Sequence, residues 1–512
     1  MLTALILIPF LAALALVFVP RTASGVPRLV AMAATLATLV LGTMLFLRFD
    51  PANGLQFVTK IEWVKSLGLN FHVGADGLNI GLLLMGSIVA FAATAVSWDI
   101  DRLEKEFYIL LLVMIGGILG AFAAQDLFFL YFFHELALVP TFMMIGIWGR
   151  GDQRNYATFQ ITLYLTVGAL VALAGLILLY VKGPGTFDIA AMTDHFQKNP
   201  LPARDQGLIF GLLMFGFGIL VSLWPFHTWA PLGYGSAPTG NAMLHAGVLK
   251  KFGLYGLLRI ALPMLPVGAQ KWIPVLAVLC LGNLVYCGWV AMRQRNLNLL
   301  IGNSSVAHMG FCFLGIASLT LVGLTGTVVV MVAHGLLAAL SFALSGYLYA
   351  RVGTLDMDRM GGLLQRLPFI GTCLVIALLA GCGVPGFANF AGELLVMFGS
   401  WKSPTAGQWM VVAAAWGALI IGGVYMLRAI RSVLHGPLPE SQAGMADATT
   451  AQRLPFALLI AALLVFGVAP GLLTDQIRPA ASRIVQLVAS GKAGPAKAPA
   501  APAAKVAELH HP

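Results

Sequence analysis

The chain has 512 residues, of which 59 % are hydrophobic and only 10 % charged, and its mean hydropathy is +0.89. Soluble domains carry about 25 % charged residues, and no soluble core buries this much apolar surface, so the soluble-enzyme classes are excluded. The formal net charge of +10 is scattered as single basic residues through short loops, without the stripe or interleaved aromatics of a nucleic-acid surface.

A helix needs about 20 apolar residues to cross the hydrocarbon, and on that basis the hydropathy predicts about fourteen spans. In chain order they fall at roughly 2–20, 27–47, 77–97, 106–123, 126–148, 156–181, 206–229, 238–262, 272–292, 298–319, 321–350, 368–400, 407–431 and 454–474. Met1 to Pro20 has no basic segment ahead of its apolar run and reads as the first span rather than a removed signal. Residues 49–76 are polar, and the alternation in FVTKIEWV predicts a short strand or hairpin there. Residues 182–205 read as a second surface loop, and the Ala/Pro/Lys-rich tail from Gly491 as disordered. Fourteen spans put both termini on one side. Lys and Arg are more frequent in the odd-numbered loops, which places those loops in the cytoplasm and both termini outside.

The seventh span is interrupted by Pro225, Pro231 and Pro238 with glycines between them, and the twelfth by Gly381-Cys382-Gly383-Val384-Pro385-Gly386. Proline removes a helix hydrogen bond and clashes with the preceding turn. Irregular backbone at membrane depth survives only where protein or a water-lined cavity satisfies it. Two broken helices five spans apart are the trace expected of two inverted repeats with a site between them. The expected fold is therefore an all-α integral membrane protein. Its predicted parts are N-terminal helices (1–105), a first repeat of five helices (106–262), a second (263–431), a C-terminal helix (432–490) and the tail (491–512).

Charge inside the bilayer costs a few kcal/mol per residue even on lenient scales, so it is rare and marks function. The ionisable candidates within spans are His134 and Glu135 in the fifth, and His245, Lys250 and Lys251 in the eighth. His308 lies in the tenth, His334 in the eleventh and Glu393 in the twelfth; His227 stands beside the first break, as a relay group or as a cap. Carboxylates and lysines whose charge is balanced between desolvation and a neighbour can load and release a proton, and histidine relays one between its nitrogens. The pattern points to movement of protons or small cations. Lys250 and Lys251 are adjacent, about 100° apart on a helix, so one is expected to work and the other to snorkel or face a loop. Arg259 lies near a span end and is expected to snorkel. The five cysteines (Cys280, Cys287, Cys312, Cys373, Cys382) have no CxxC spacing and read as small hydrophobes, and no metal, haem, flavin or iron–sulfur motif is visible.

Over nearly its whole length the chain resembles the antiporter-like membrane subunits of proton-pumping NADH:quinone oxidoreductase, the respiratory complex I family, and within it the chain M type. The segments that carry the resemblance are FHELALVPTFMMIGIWG (133–149), WPFHTWAP (224–231), SAPTG (236–240), LKKFGLYGLLR (249–259), NSSVAHMGF (303–311), VAHGLLAALSF (332–342), LDMDRMGGL (355–363) and GFANFAGELLVMFGSW (386–401). The resemblance implies that Glu135 is the essential fifth-helix glutamate and Lys251 the central lysine. It further implies that His308 and His334 are relay histidines and that Glu393 is the exit-side acid. It also implies redox chemistry in separate flavin and iron–sulfur subunits, quinone as the complex's substrate, neighbouring antiporter-like chains as partners, and a bacterial inner membrane as the location. Subunits of cation/proton antiporters and membrane-bound hydrogenases share the fold and differ in partners rather than in these motifs. The membrane component of an inorganic-carbon uptake system, with a soluble zinc protein as partner, is a second alternative that the atypical seventh helix keeps open, and a purely structural membrane subunit is a third.

The family's seventh-helix lysine, the usual partner of the fifth-helix glutamate, is missing: no ionisable side chain lies between Gly207 and Phe226. The expectation is that His134, His245 or Lys250 supplies the partner; the competing one is an inactive first half-channel.

Overall fold

A computed structural model describes residues 1–491; the tail expected to be disordered lies outside the described residues, Gly491 apart. Among them, ten helices are long and apolar enough to cross a membrane, and Leu2–Phe18, Ile80–Val96 and Pro368–Gly381 are shorter apolar helices. The protein is an all-helical membrane bundle with one small hairpin.

The chain begins with α1 (Leu2–Phe18) and α2 (Val26–Arg48), then the strands β1 (Gln56–Val64) and β2 (Leu69–Ala75). The strands pair antiparallel with Lys60 opposite His72, so the predicted strand is a hairpin. Next come α3 (Ile80–Val96), α4 (Glu104–Ala123), α5 (Leu127–Trp148) and α6 (Arg154–Val181). Asp126 caps α5 by accepting from the Phe128 and Phe129 amides. The predicted loop 182–205 contains a helix, α7 (Ile189–Lys198), which Asp188 caps through the Ala190 and Ala191 amides. Its ten residues are too short and too polar to register as a span, which is why hydropathy passed over it.

The seventh span is broken as expected, into α8 (Ala203–Val221) and α9 (Trp229–Ser236). Ser222 ends α8 in the left-handed region at φ 71°. Asn283 satisfies the freed backbone: its Oδ1 accepts from the Trp224 amide at 2.8 Å, and its Nδ2 donates to the Ser222 carbonyl at 2.9 Å and the Val306 carbonyl at 3.1 Å.

The eighth span, unlike its prediction as one helix, changes pitch four times. It runs through α10 (Thr239–Gly247), a 3-10 turn at Leu249–Lys251, α11 (Phe252–Gly256), a π-helical turn at Leu257–Ala261 and α12 (Leu262–Met264). Beyond it, α13 (Pro266–Leu281) continues through a π turn into α14 (Gly288–Arg293). The helices α15 (Leu297–Ser318) and α16 (Leu321–Val352) follow, and α16 is buried throughout its most apolar stretch.

The twelfth span is broken into α17 (Pro368–Gly381) and α18 (Ala388–Trp401), with Gly383 and Gly386 both at positive φ between them. Small residues let α18 lie directly on α16: a Cβ on Gly326 would come within 2.7 Å of the Val396 amide nitrogen, and one on Gly392 within 2.9 Å of that of Val330. The remaining helices are α19 (Gly407–Ala415), which passes through a π turn into α20 (Gly422–Leu434), then α21 (Thr450–Val468) and α22 (Gly471–Ser490). Hydropathy did not separate α22, because apolar and polar residues alternate around it. It shares one end of the bundle with the hairpin and α7, where Ser490 Oγ donates to Gln197 Oε1.

Candidate proton-translocation site

The 3-10 turn decides the fate of the two lysines. Both are fully buried, at 1 % and 0 % exposure, which corrects the expectation that one of them snorkels or faces a loop. A 3-10 turn advances about 120° per residue, and the kink at Val248 (φ −120°, ψ −62°) resets the direction of the chain just before it. Lys250 therefore points one way, with Nζ donating to Ser305 Oγ at 3.3 Å and lying 5.6 Å from the Tyr234 ring centre. Lys251 points another, with Nζ donating to the Ala246 carbonyl at 2.6 Å and lying 2.8 Å from His334 Nδ1.

From Lys251 a line of polar groups continues across α16, α15 and α18. The His334 and His308 rings lie 5.5 Å apart. His308 Nδ1 sits 2.7 Å from the Ser304 carbonyl, and Nε2 sits 3.2 Å from the Gly381 carbonyl and 3.6 Å from Glu393 Oε1. A neutral ring donates to one carbonyl and a protonated ring to both, so the position accommodates either state. Glu393 is 2 % exposed, and the break in the twelfth span brings Gly383 against its Oε2. Sequence reading missed a side branch on this line: Tyr425 donates from its hydroxyl to Ser304 Oγ at 3.0 Å, and that oxygen lies 3.4 Å from His308 Nδ1. The Ser304–His308 spacing of four residues on one helix was a legible signal for half of it.

The first half is aromatic. His245 stacks on Trp229 with ring centres 5.4 Å apart and meets Tyr234 edge-on at the same distance, which joins it to Lys250 through the Tyr234 ring. His134 stacks on Phe252 at 3.9 Å, beside Lys251 in the chain. Of the three candidate partners for Glu135, only His134 stands next to it, Nδ1 to Oε1 at 3.5 Å. His245 and Lys250 belong to the Trp229–Tyr234 cluster instead. His227 lies in the break of the seventh span against the Tyr286 ring, and its side chain caps no helix.

Glu135 itself looks the other way. Its side chain is 34 % exposed and lines an apolar groove of about 440 Å³ between α5 and α6. Arg259, expected to snorkel, instead holds a bidentate ion pair with Asp76, at 2.5 and 2.6 Å, and tethers the eighth span to the start of α3. Among the described residues no three His, Cys, Asp or Glu side chains converge as a metal ion would require.

Residues 124–421 match the model of the family described as NADH:quinone oxidoreductase/Mrp antiporter, transmembrane. The NADH-quinone oxidoreductase subunit M of Rhodobacter capsulatus is 34 % identical over 467 residues, covering 89 % of this chain and 90 % of that one. An NAD(P)H-quinone oxidoreductase chain 4 of Microcystis aeruginosa is 36 % identical over 442 residues, covering 85 % and 79 %. Among solved structures, a chain of respiratory complex I from Thermus thermophilus with bound NADH superposes with a TM-score of 0.87 at 28 % identity, covering 95 % of this chain and all of that one. On these matches, the chain belongs to the antiporter-like membrane subunits of the NADH:quinone oxidoreductase/Mrp antiporter family.

Proposed function

We propose that this chain is the proton-translocating membrane subunit of a complex I-type NADH:quinone oxidoreductase, of the subunit M kind. The observation that carries the reading is the buried line of neighbouring groups Lys251, His334, His308 and Glu393, with Lys251 Nζ 2.8 Å from His334 Nδ1, the two His rings 5.5 Å apart and His308 Nε2 3.6 Å from Glu393 Oε1. The proton path begins at Glu135 and His134, passes to the Lys250 and Lys251 pair, and leaves through His334, His308 and Glu393. Like charges repel more strongly in the low effective dielectric of a buried site than in water. The protonation of each lysine therefore depends on the other, and the pair can hand charge from the first repeat to the second. Flavin, iron–sulfur and quinone chemistry belong to other subunits. The end carrying the hairpin, α7 and α22 faces the outside of a bacterial inner membrane, as the loop charges argue.

Purification from native membranes in mild detergent, with mass spectrometry of what accompanies the chain, tests the assignment. Flavin and iron–sulfur NADH-dehydrogenase subunits are the expected companions; an antiporter assembly or a hydrogenase in their place would overturn it. In the same membranes Lys251→Ala should cut NADH-driven proton uptake by vesicles by about tenfold or more, the scale of a lost proton-transfer group. Full pumping in that variant would remove Lys251 from the path.

A further inference from the structure

A carboxylate that faces outward at membrane depth is costly unless something covers it. Glu135 lies two helical turns inside α5, yet its side chain is one-third exposed and opens into the groove between α5 and α6. The walls are aromatic and aliphatic: Phe128, Tyr131 and Phe132 on α5, Leu176 and Tyr180 on α6, and Phe187 beyond them. Among the lining residues Glu135 is the one carboxylate, and none carries an amine, guanidinium or imidazole. Its Oε1 is buried 3.5 Å from His134 Nδ1 and makes no hydrogen bond within the described residues, and the His134 ring is turned inward onto Phe252. Other apolar faces differ. Trp409, Val412, Trp416 and Leu419 on the α19 side are exposed without an ionisable group among them, as a lipid-facing surface should be.

We propose that the α5–α6 groove receives the lysine side chain of a neighbouring membrane subunit, which pairs with Glu135 in trans in place of the seventh-helix lysine that this chain lacks. The inference rests on the reading of the chain as one subunit of a larger membrane assembly. Charge complementarity selects a cation. The groove's apolar walls suit an aliphatic stem, and lysine, unlike arginine, can give up its proton and so take part in the path. Aromatic faces at Phe128, Tyr131 and Phe187 add cation–π attraction along the way. Glu135 then becomes the point where a charge change in one subunit is felt by the next.

The test uses the intact complex in its membrane and dicyclohexylcarbodiimide, which partitions into lipid. The reagent converts the Glu135 carboxyl to an O-acylisourea. An amine in contact attacks it, an amide bond forms and dicyclohexylurea leaves; with no amine in reach the adduct rearranges to an N-acylurea on Glu135. Peptide mass spectrometry should find Glu135 joined by an amide to a lysine of another membrane subunit, with the product absent from Glu135→Gln. Leu176→Trp, which fills the groove and leaves the carboxylate, should abolish the cross-link. N-acylurea alone in the intact complex, or a cross-link that survives Leu176→Trp, would overturn the proposal. The composition of the same preparation reports separately on the respiratory assignment: an amide to a lysine of some other assembly's subunit supports the trans pair and removes the respiratory reading.

Discussion

Gly383 shows how much one residue settles. It sits at φ +69° in the break between α17 and α18, where an L side chain is strained, and a Cβ there would lie 2.9 Å from Glu393 Oε2. The strain falls on the break itself and the contact on Glu393, the carboxylate at the end of the proposed proton path. Gly383→Ala is expected to lower NADH-driven pumping several-fold while the assembled complex keeps its NADH oxidation, measured with an artificial electron acceptor on purified complex. Unchanged pumping would mean that the break is packing alone. The lysine pair teaches the same lesson in reverse. Adjacent residues on a helix with one buried face point to different surroundings, and the sequence reading separated the two lysines on that ground. The span around them is buried on every side, so the two amines point apart and both lie inside.

Elements outside the membrane are held by a different kind of contact. The hairpin is tied to α7 through Asp188, whose Oδ2 accepts from Lys60 Nζ at 2.8 Å and lies 3.1 Å from His72 Nδ1. Burial by itself would raise this carboxyl, but the hydrogen bonds from His72 and Lys60 and those from the α7 amides outweigh it and hold it well below the usual carboxylate range. A carboxylate lowered in the folded state contributes stability that is complete above its unfolded value of about 3.9. That contribution is lost as pH falls from there through the folded value. Asp188→Asn should therefore melt several degrees below the native protein at pH 7, and the gap should close as the pH drops below about 4. Thermal melts in detergent across that range check it, and a gap that widens toward acid would refute the linkage. Within the membrane, α16 and α18 are joined by glycines rather than charges, because close backbone approach is what drives helix association where no hydrophobic effect operates between helices.

At the scale of the whole molecule, the bundle carries two broken spans, and α16, buried throughout its most apolar stretch, packs against α18 of one and α10 beyond the other. The breaks provide carbonyls that regular helices would keep to themselves: Gly381 offers one to His308, and Ser222 offers one to Asn283. The hairpin, α7 and α22 close one end, and the loop after α20 lies at the other. Cysteine substitution can establish which end faces which compartment, since four of the five native cysteines are buried. A cysteine in place of Lys198 should react with an impermeant maleimide added to intact cells, and one in place of Glu440 only in inverted vesicles. The opposite pattern would invert the membrane orientation and, with it, the direction of the proposed proton path.

Composition alone was enough to make this a membrane protein, because apolar content on this scale has no other solvent. Hydropathy located most spans, proline and glycine located both breaks, and the rarity of charge inside spans named the residues that the fold then gathered. The amphipathic α22 and the polar α7 escaped, since neither carries the long apolar run by which a span is read. Only the tertiary structure decided which ionisable groups touch. It turned Lys250 and Lys251 apart within one interior, joined Lys251 to His334, paired Arg259 with a distant Asp76, and left Glu135 facing outward. Those outcomes depend on local helix pitch and on which neighbour lies across each interface, and neither is written in the order of residues along a single span.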